Sequence, residues 1–120
     1  MQWVILIGNE ELTIDKLYNI TYERECEKNY VNSNKIVVNY ESEHIFYEYT
    51  PEIINDYELE ELEKIPFINP HFIMMIYTSE KLMKSILIEK DFPKDIYIDD
   101  DDGNILPISK FVASYKADSN

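Results

Sequence analysis

Four consecutive aspartates in the stretch DIYIDDDDGNILPI, Asp95 to Ile108, have the spacing that comes nearest to a metal site. Calcium prefers carboxylate oxygens, but an EF-hand loop needs an oxygen ligand where this chain has Ile98 and a glutamate where it has Ser109. The run therefore does not fit that loop. Gly103 can supply the left-handed backbone of a tight hairpin. We predict a solvated turn, with weak binding of a hard cation as the alternative.

The residues that could act as nucleophiles or ligands of softer metals stand alone. Cys26 is the only cysteine, and it lies between Glu25 and Glu27. Nearby negative charge disfavours the thiolate that would attack a substrate, and we expect this side chain to be buried in a strand. His44 and His71 have no spacing that would bring two metal ligands together.

Nucleotide binding and acid–base catalysis also find little support. Gly8 and Gly103 are the only two glycines, so neither a P-loop nor a G-x-G-x-x-G turn can form. Pairs of carboxylates could perform acid–base catalysis, but 24 acidic residues produce many such pairs by chance. We therefore predict that the protein is not an enzyme and has no cofactor and no metal.

The strongest nonrandom feature is an acidic segment from Ile36 to Glu63, which contains no lysine or arginine. It holds nine acidic residues and therefore carries nine of the thirteen net negative charges of the chain. Tyrosines, which are enriched at protein interfaces, alternate with these acids. We predict that this segment and the aspartate turn bind a basic protein through Tyr47, Glu48, Tyr49, Tyr57, Glu58, Glu60, Glu61, Asp99, Asp100, Asp101 and Asp102. The alternative is that the acids only keep a small protein soluble.

Charge and composition exclude several other kinds of partner. A net charge of −13 repels the phosphates of nucleic acids and of anionic membranes. The apolar run Trp3–Ile7 at the N-terminus is too short for a signal sequence or a membrane span, and no basic residue precedes it. A single cysteine leaves no intramolecular disulfide and suits a reducing compartment. We expect a cytoplasmic protein with no nucleic-acid or membrane partner.

The apolar pattern predicts strands and short helices in alternation. Thr13 and either Thr78 or Ser79 are predicted helix caps, as are Asn55 or Asp56 and, for a last helix, Ser109. Strands are predicted over Trp3–Ile7, residues 21–28, Lys35–Tyr40, His44–Tyr49, Phe72–Tyr77, and the two short runs that flank the aspartates. The order mixes hairpins with at least one strand–helix–strand unit. We predict one α+β or α/β domain over residues 1–120, with a mixed sheet flanked by short helices.

The chain also resembles a known group of proteins. A small acidic chain that begins MQWVILIG and later contains NPHFIMMIYTSEKLM is similar to the small immunity proteins of Bacillus-type bacteria, which neutralise polymorphic toxins such as those with LXG domains. The resemblance rests on size, charge and these two strands, and it assigns no functional residue. It implies a stoichiometric inhibitor that binds a toxin, often a basic nuclease, inside the producing cell.

The expected function is therefore a non-enzymatic inhibitor whose acidic, tyrosine-rich surface binds a basic toxin. Two alternatives come from other classes. One is a small enzyme or ligand-binding domain whose site is assembled from residues far apart in the sequence. The other is a DNA mimic, which would need carboxylates spaced along an extended face like phosphates.

Overall fold

The computed structural model describes residues 2–100 and 102–118. Its strands are β1 Gln2–Gly8, β2 Glu27–Asn32, β3 Lys35–Asn39, β4 His44–Tyr49, β5 His71–Tyr77, β6 Tyr97–Asp99 and β7 Ile105–Pro107. Its helices are α1 Ile14–Asn19, α2 Leu59–Leu62, α3 Glu80–Leu87 and α4 Ile108–Asp118, and a 3-10 helix spans Pro51–Asp56. The predicted order of elements is confirmed, apart from the boundaries discussed below.

The seven strands form one sheet in the order β2-β3-β4-β5-β1-β6-β7. Every pair of neighbouring strands is antiparallel. The α+β class is therefore confirmed, whereas the predicted mixed sheet is wrong. The strand–helix–strand unit does exist as β5-α3-β6, but β1 lies between its two parallel strands and pairs with both.

Helices α1, α3 and α4 cover one face of the sheet and enclose the larger buried cluster, which includes Leu17, Ile73 and Ile86. On the opposite face a smaller cluster forms around Ile5, Ile7 and Phe72. Successive residues of β1 therefore point into different clusters, because side chains alternate across a strand. This explains why the run from Val4 to Gly8 is buried without interruption, as expected for a central strand.

Two of the predicted helix caps are confirmed and two are wrong. The side chains of Thr13 and Ser79 accept hydrogen bonds from backbone N–H groups in the first turns of α1 and α3. The helix predicted from Asn55 or Asp56 instead begins after Glu58, because Pro51 starts a separate 3-10 turn. Ser109 lies inside α4, which begins at Ile108 directly after β7.

The predicted strand over residues 21–28 is wrong for most of its length. The backbone N–H of Thr21 donates to Asp91 at 2.6 Å, and that of Glu23 donates to the Glu89 carboxylate at 3.1 Å. These donors are therefore used by side chains from the loop after α3, and β2 begins only at Glu27. Cys26 consequently lies in an irregular segment and is half-buried, so its predicted full burial in a strand is wrong.

Candidate functional site

The connection between β4 and β5, residues 50–70, lies over the second face of the sheet, and we call it the acidic lobe. It includes the C-terminal half of the base-free segment. Its inward side chains pack on the smaller buried cluster, and these are Ile53, Tyr57, Leu62, Ile65 and Phe67. The carboxylates of Glu52, Asp56, Glu58, Glu60 and Glu63 belong to exposed residues of the same lobe. Because the apolar side of the acidic lobe is buried against the sheet, its acidic side chains are exposed to solvent.

A hydrogen bond joins the acidic lobe to the strand that precedes the aspartate turn. The Tyr57 ring lies 5.5 Å from the Phe72 ring, and its hydroxyl donates to Asp99 Oδ2 at 2.7 Å. Asp99 is only 7% exposed, so this bond satisfies part of a buried carboxylate. The two predicted contact regions thus meet, although Tyr57 and Asp99 are 42 residues apart.

The surroundings of the Tyr57 hydroxyl are strongly negative. Burial raises the pKa of Tyr57 well above its ordinary value, and the hydrogen bond and charge of Asp99 raise it further. The charges of Glu61 and Asp56 act in the same direction. Asp99, Glu61 and Asp56 therefore all add to the negative potential at this hydroxyl.

The aspartate turn is organised by its own side chains. Asp100 accepts hydrogen bonds from the backbone N–H groups of Asp102 at 2.9 Å and Asn104 at 3.1 Å, and a further one from the Asn104 amide. Gly103 has φ +85°, the left-handed conformation predicted for this hairpin. Within residues 2–100 and 102–118 no three His, Cys, Asp or Glu side chains converge as metal ligands. Asp101 lies outside the described residues.

The turn also borders a cleft of about 490 Å³, which Asp100 and Asp102 line together with Trp3, Glu80 and Lys84. The Lys84 ammonium lies 3.2 Å from Glu80 and 5.0 Å from the centre of the Tyr115 ring. Asp100 and Asp102 therefore border a space that Lys84 and aromatic side chains also line.

The remaining predicted contact residues differ in how they can meet a partner. Glu58 and Glu60 are exposed, Glu61 is half-buried, and the backbone N–H of Glu58 donates to Glu61 at 2.9 Å in the first turn of α2. Tyr47 is fully buried in the larger cluster, so its predicted contact with a partner is wrong. Tyr47 and Glu48 point to opposite faces of the sheet, and helices cover the face to which Tyr47 points.

Glu48 and Tyr49 lie on opposite faces of β4. The Glu48 carboxylate is 3.5 Å from Lys35 on the neighbouring strand, so its charge is partly neutralised. Tyr49 is half-buried, packs against the larger cluster and lies 5.9 Å from the His71 ring. Both residues belong to β4 and lie outside the acidic lobe.

A buried carboxylate that the sequence did not indicate lies outside the acidic lobe, in the loop after α3. Glu89 is 5% exposed, and burial raises its pKa. Its charge acts on the buried hydroxyls of Tyr22, Tyr40 and Tyr47, whose pKa values are raised chiefly by burial. Burial also raises the pKa of the Cys26 thiol, which therefore stays protonated and is a poor nucleophile.

Among the described residues no helix is long and apolar enough to cross a membrane. No protein-family model matches this chain, and no curated protein or solved structure is significantly similar to it.

Proposed function

We propose that this protein is a non-enzymatic inhibitor, an immunity protein that neutralises a basic toxin inside the cell that produces it. The observation that supports the proposal is the hydrogen bond between Tyr57 and Asp99, which joins the acidic lobe to the strand that leads into the aspartate turn. The contact surface runs from the exposed acids of the acidic lobe, around the end of β6, to the aspartate turn. Tyr57 and Asp99 hold this surface in place rather than touch the partner.

Inhibition by such a surface requires no catalytic residue. A nuclease binds phosphate with arginine and lysine side chains, and carboxylates can occupy the positions of those phosphates. Complementary charge also speeds the encounter of the two proteins and makes its rate depend on salt. The mechanism is therefore blockage of a basic active site by a rigid acidic surface.

The experiment compares two triple variants with the same change in net charge. The surface variant carries Glu58→Gln, Glu60→Gln and Asp102→Asn. The control variant carries Glu25→Gln, Glu27→Gln and Glu41→Gln, which are exposed residues near β2, at the opposite edge of the sheet from β6. Immobilised wild type and both variants are exposed to lysate of the source cell, and retained proteins are identified by mass spectrometry.

We expect wild type and the control variant to retain the same basic protein, and the surface variant to lose it. With the purified partner, the surface variant should associate more slowly and with a weaker dependence on salt. Polylysine should bind both variants equally, because it responds to net charge alone. If the two variants behave alike towards the partner, the position of the acids does not matter and the proposed surface is wrong.

The immunity role has its own test. The retained protein, expressed in a host without the inhibitor, should stop growth, and co-expression of wild type should restore it. A retained protein that is harmless on its own would refute the immunity role while leaving the binding surface intact.

A further inference from the structure

The acidic lobe also presents apolar side chains to solvent. Ile68 is 97% exposed and Leu59 is 72% exposed. Single exposed apolar residues are common and need no explanation. Ile68, however, stands in the sequence PFINP between Pro66 and Pro70. Proline fixes φ at two positions of this loop, so less backbone freedom remains to be lost on binding.

Ile68 borders a surface depression of about 500 Å³ between this loop and the turn that follows β1. Phe67 and Pro66 contribute the apolar part of its lining, and Glu10 and Glu11 contribute two carboxylates. Among the residues that the structure describes, no lysine, arginine or histidine lines it. The depression therefore combines an apolar wall with unneutralised negative charge.

Both walls of the depression are held by contacts within the protein. Phe67 packs edge-to-face on Tyr97, with 5.9 Å between the ring centres. On the other side, the side chain of Asn9 accepts a hydrogen bond from the backbone N–H of Glu11 at 2.9 Å. A partner would therefore meet a shape that exists before binding, which lowers the entropic cost of association.

We propose that this depression, which we call the Ile68 site, binds an aliphatic or aromatic side chain of the basic partner protein together with a neighbouring arginine or lysine. The apolar side chain packs on Ile68 and Phe67, while the cation lies against Glu10 and Glu11. The inference rests on the proposed function, since it assumes that the partner is basic. It adds an apolar contact to a surface that otherwise selects by charge alone.

Charge decides between this occupant and the other candidates. A second copy of the chain, with a net charge of −13, would bring further carboxylates against Glu10 and Glu11. An anionic membrane would be repelled for the same reason. A basic protein segment is the occupant whose charge complements the site and whose apolar side chains can cover Ile68.

The test uses two short synthetic peptides with blocked ends. One alternates arginine with leucine, and the other alternates arginine with glycine at the same charge. Binding to wild type is compared with binding to Ile68→Ser and to the matched control Ile88→Ser. Ile88 is also exposed, but it lies at the end of α3 on the opposite face of the sheet. Chemical shifts of the isoleucine methyl groups locate the bound peptide.

We expect the leucine peptide to bind wild type about tenfold more tightly than the glycine peptide, as burial of apolar side chains predicts. Ile68→Ser should abolish this preference and leave the melting temperature unchanged, because the side chain is exposed. Ile88→Ser should keep the preference. The methyl shifts should be largest at Ile68.

Three results would overturn the Ile68 site, and they differ in what they say of the proposed function. Equal binding of both peptides to wild type would remove the apolar contact but keep an acidic surface that binds bases. Failure of both peptides to bind would count against the acidic surface as well. A wild-type dimer in sedimentation that Ile68→Ser dissociates would identify a second copy as the occupant.

Discussion

Removing the hydroxyl of Tyr57 tests the link that holds the candidate surface together. In Tyr57→Phe the ring can still pack on Phe72, but Asp99 loses the donor that lies 2.7 Å from its Oδ2 atom. Hydrogen bonds to charged groups contribute about 1.5–3 kcal/mol to stability. We expect Tyr57→Phe to lower the free energy of unfolding by about 2 kcal/mol, which corresponds to roughly 6–10 °C in melting temperature for a chain of this size.

Tyr30→Phe provides a matched control, because the Tyr30 hydroxyl also donates to a carboxylate, Asp15 Oδ1, at 2.6 Å. That pair is exposed to solvent, where water replaces a lost hydrogen bond. The melting temperature of Tyr30→Phe should therefore equal that of wild type. Urea unfolding followed by circular dichroism gives both free energies. Equal effects of the two substitutions would refute the view that burial makes the Tyr57 bond important.

A double-mutant cycle of Tyr57→Phe with Asp99→Asn separates the bond from other effects of each substitution. We expect a coupling free energy of about 1–2 kcal/mol, as is usual for groups in direct contact. A coupling near zero would mean that the two side chains do not interact in solution. The Tyr57→Phe variant should also associate with the partner more slowly, because the lobe is no longer fixed to β6.

The remaining predictions concern turns, pH and metal. Gly8→Ala should destabilise the fold by about 1–3 kcal/mol in urea unfolding, because the new Cβ would lie 2.8 Å from the Leu12 Cβ; Gly103→Ala meets no atom within 4 Å but should cost about 1 kcal/mol for its positive φ. Equal stability of both variants and wild type would contradict this. Burial raises the pKa of Tyr115 from 10.0 to about 12, so its contribution to stability is complete below pH 10 and is lost as the pH rises through 12. Tyrosinate absorbance should therefore rise together with loss of circular dichroism at alkaline pH, and a rise for all tyrosines near pH 10 in folded protein would refute the burial. Melting temperatures in millimolar calcium and in chelator should agree within about a degree, whereas a large increase with calcium would restore the aspartate turn as a metal site.

Local features of the fold follow directly from the sequence. Thr13 and Ser79 cap their helices because a hydroxyl one residue before the first turn can accept a backbone N–H without any help from the rest of the chain. Gly103 forms its turn because glycine adopts a positive φ without steric cost. The apolar run of β5 indicates a central strand, and β5 does lie between β4 and β1, with its side chains buried or half-buried along its whole length.

Other features depended on which parts of the chain meet in space. The alternation of β4 places Tyr47 and Glu48 on opposite faces, but only the packed helices decide that the face of Tyr47 is closed to a partner. The predicted strand before β2 is absent because side chains from a distant loop capture its N–H groups.

The sequence by itself determined the strong negative charge of the protein and the segment that lacks basic residues. It also determined local features such as the helix caps and the glycine turn. These properties depend on residue type and on neighbours along the chain. Only the tertiary structure decided that the acidic lobe is joined to the strand before the aspartate turn, because the bond from Tyr57 to Asp99 spans 42 residues. A contact of that separation depends on how the lobe folds over the sheet, and no pattern within a short stretch of sequence specifies it.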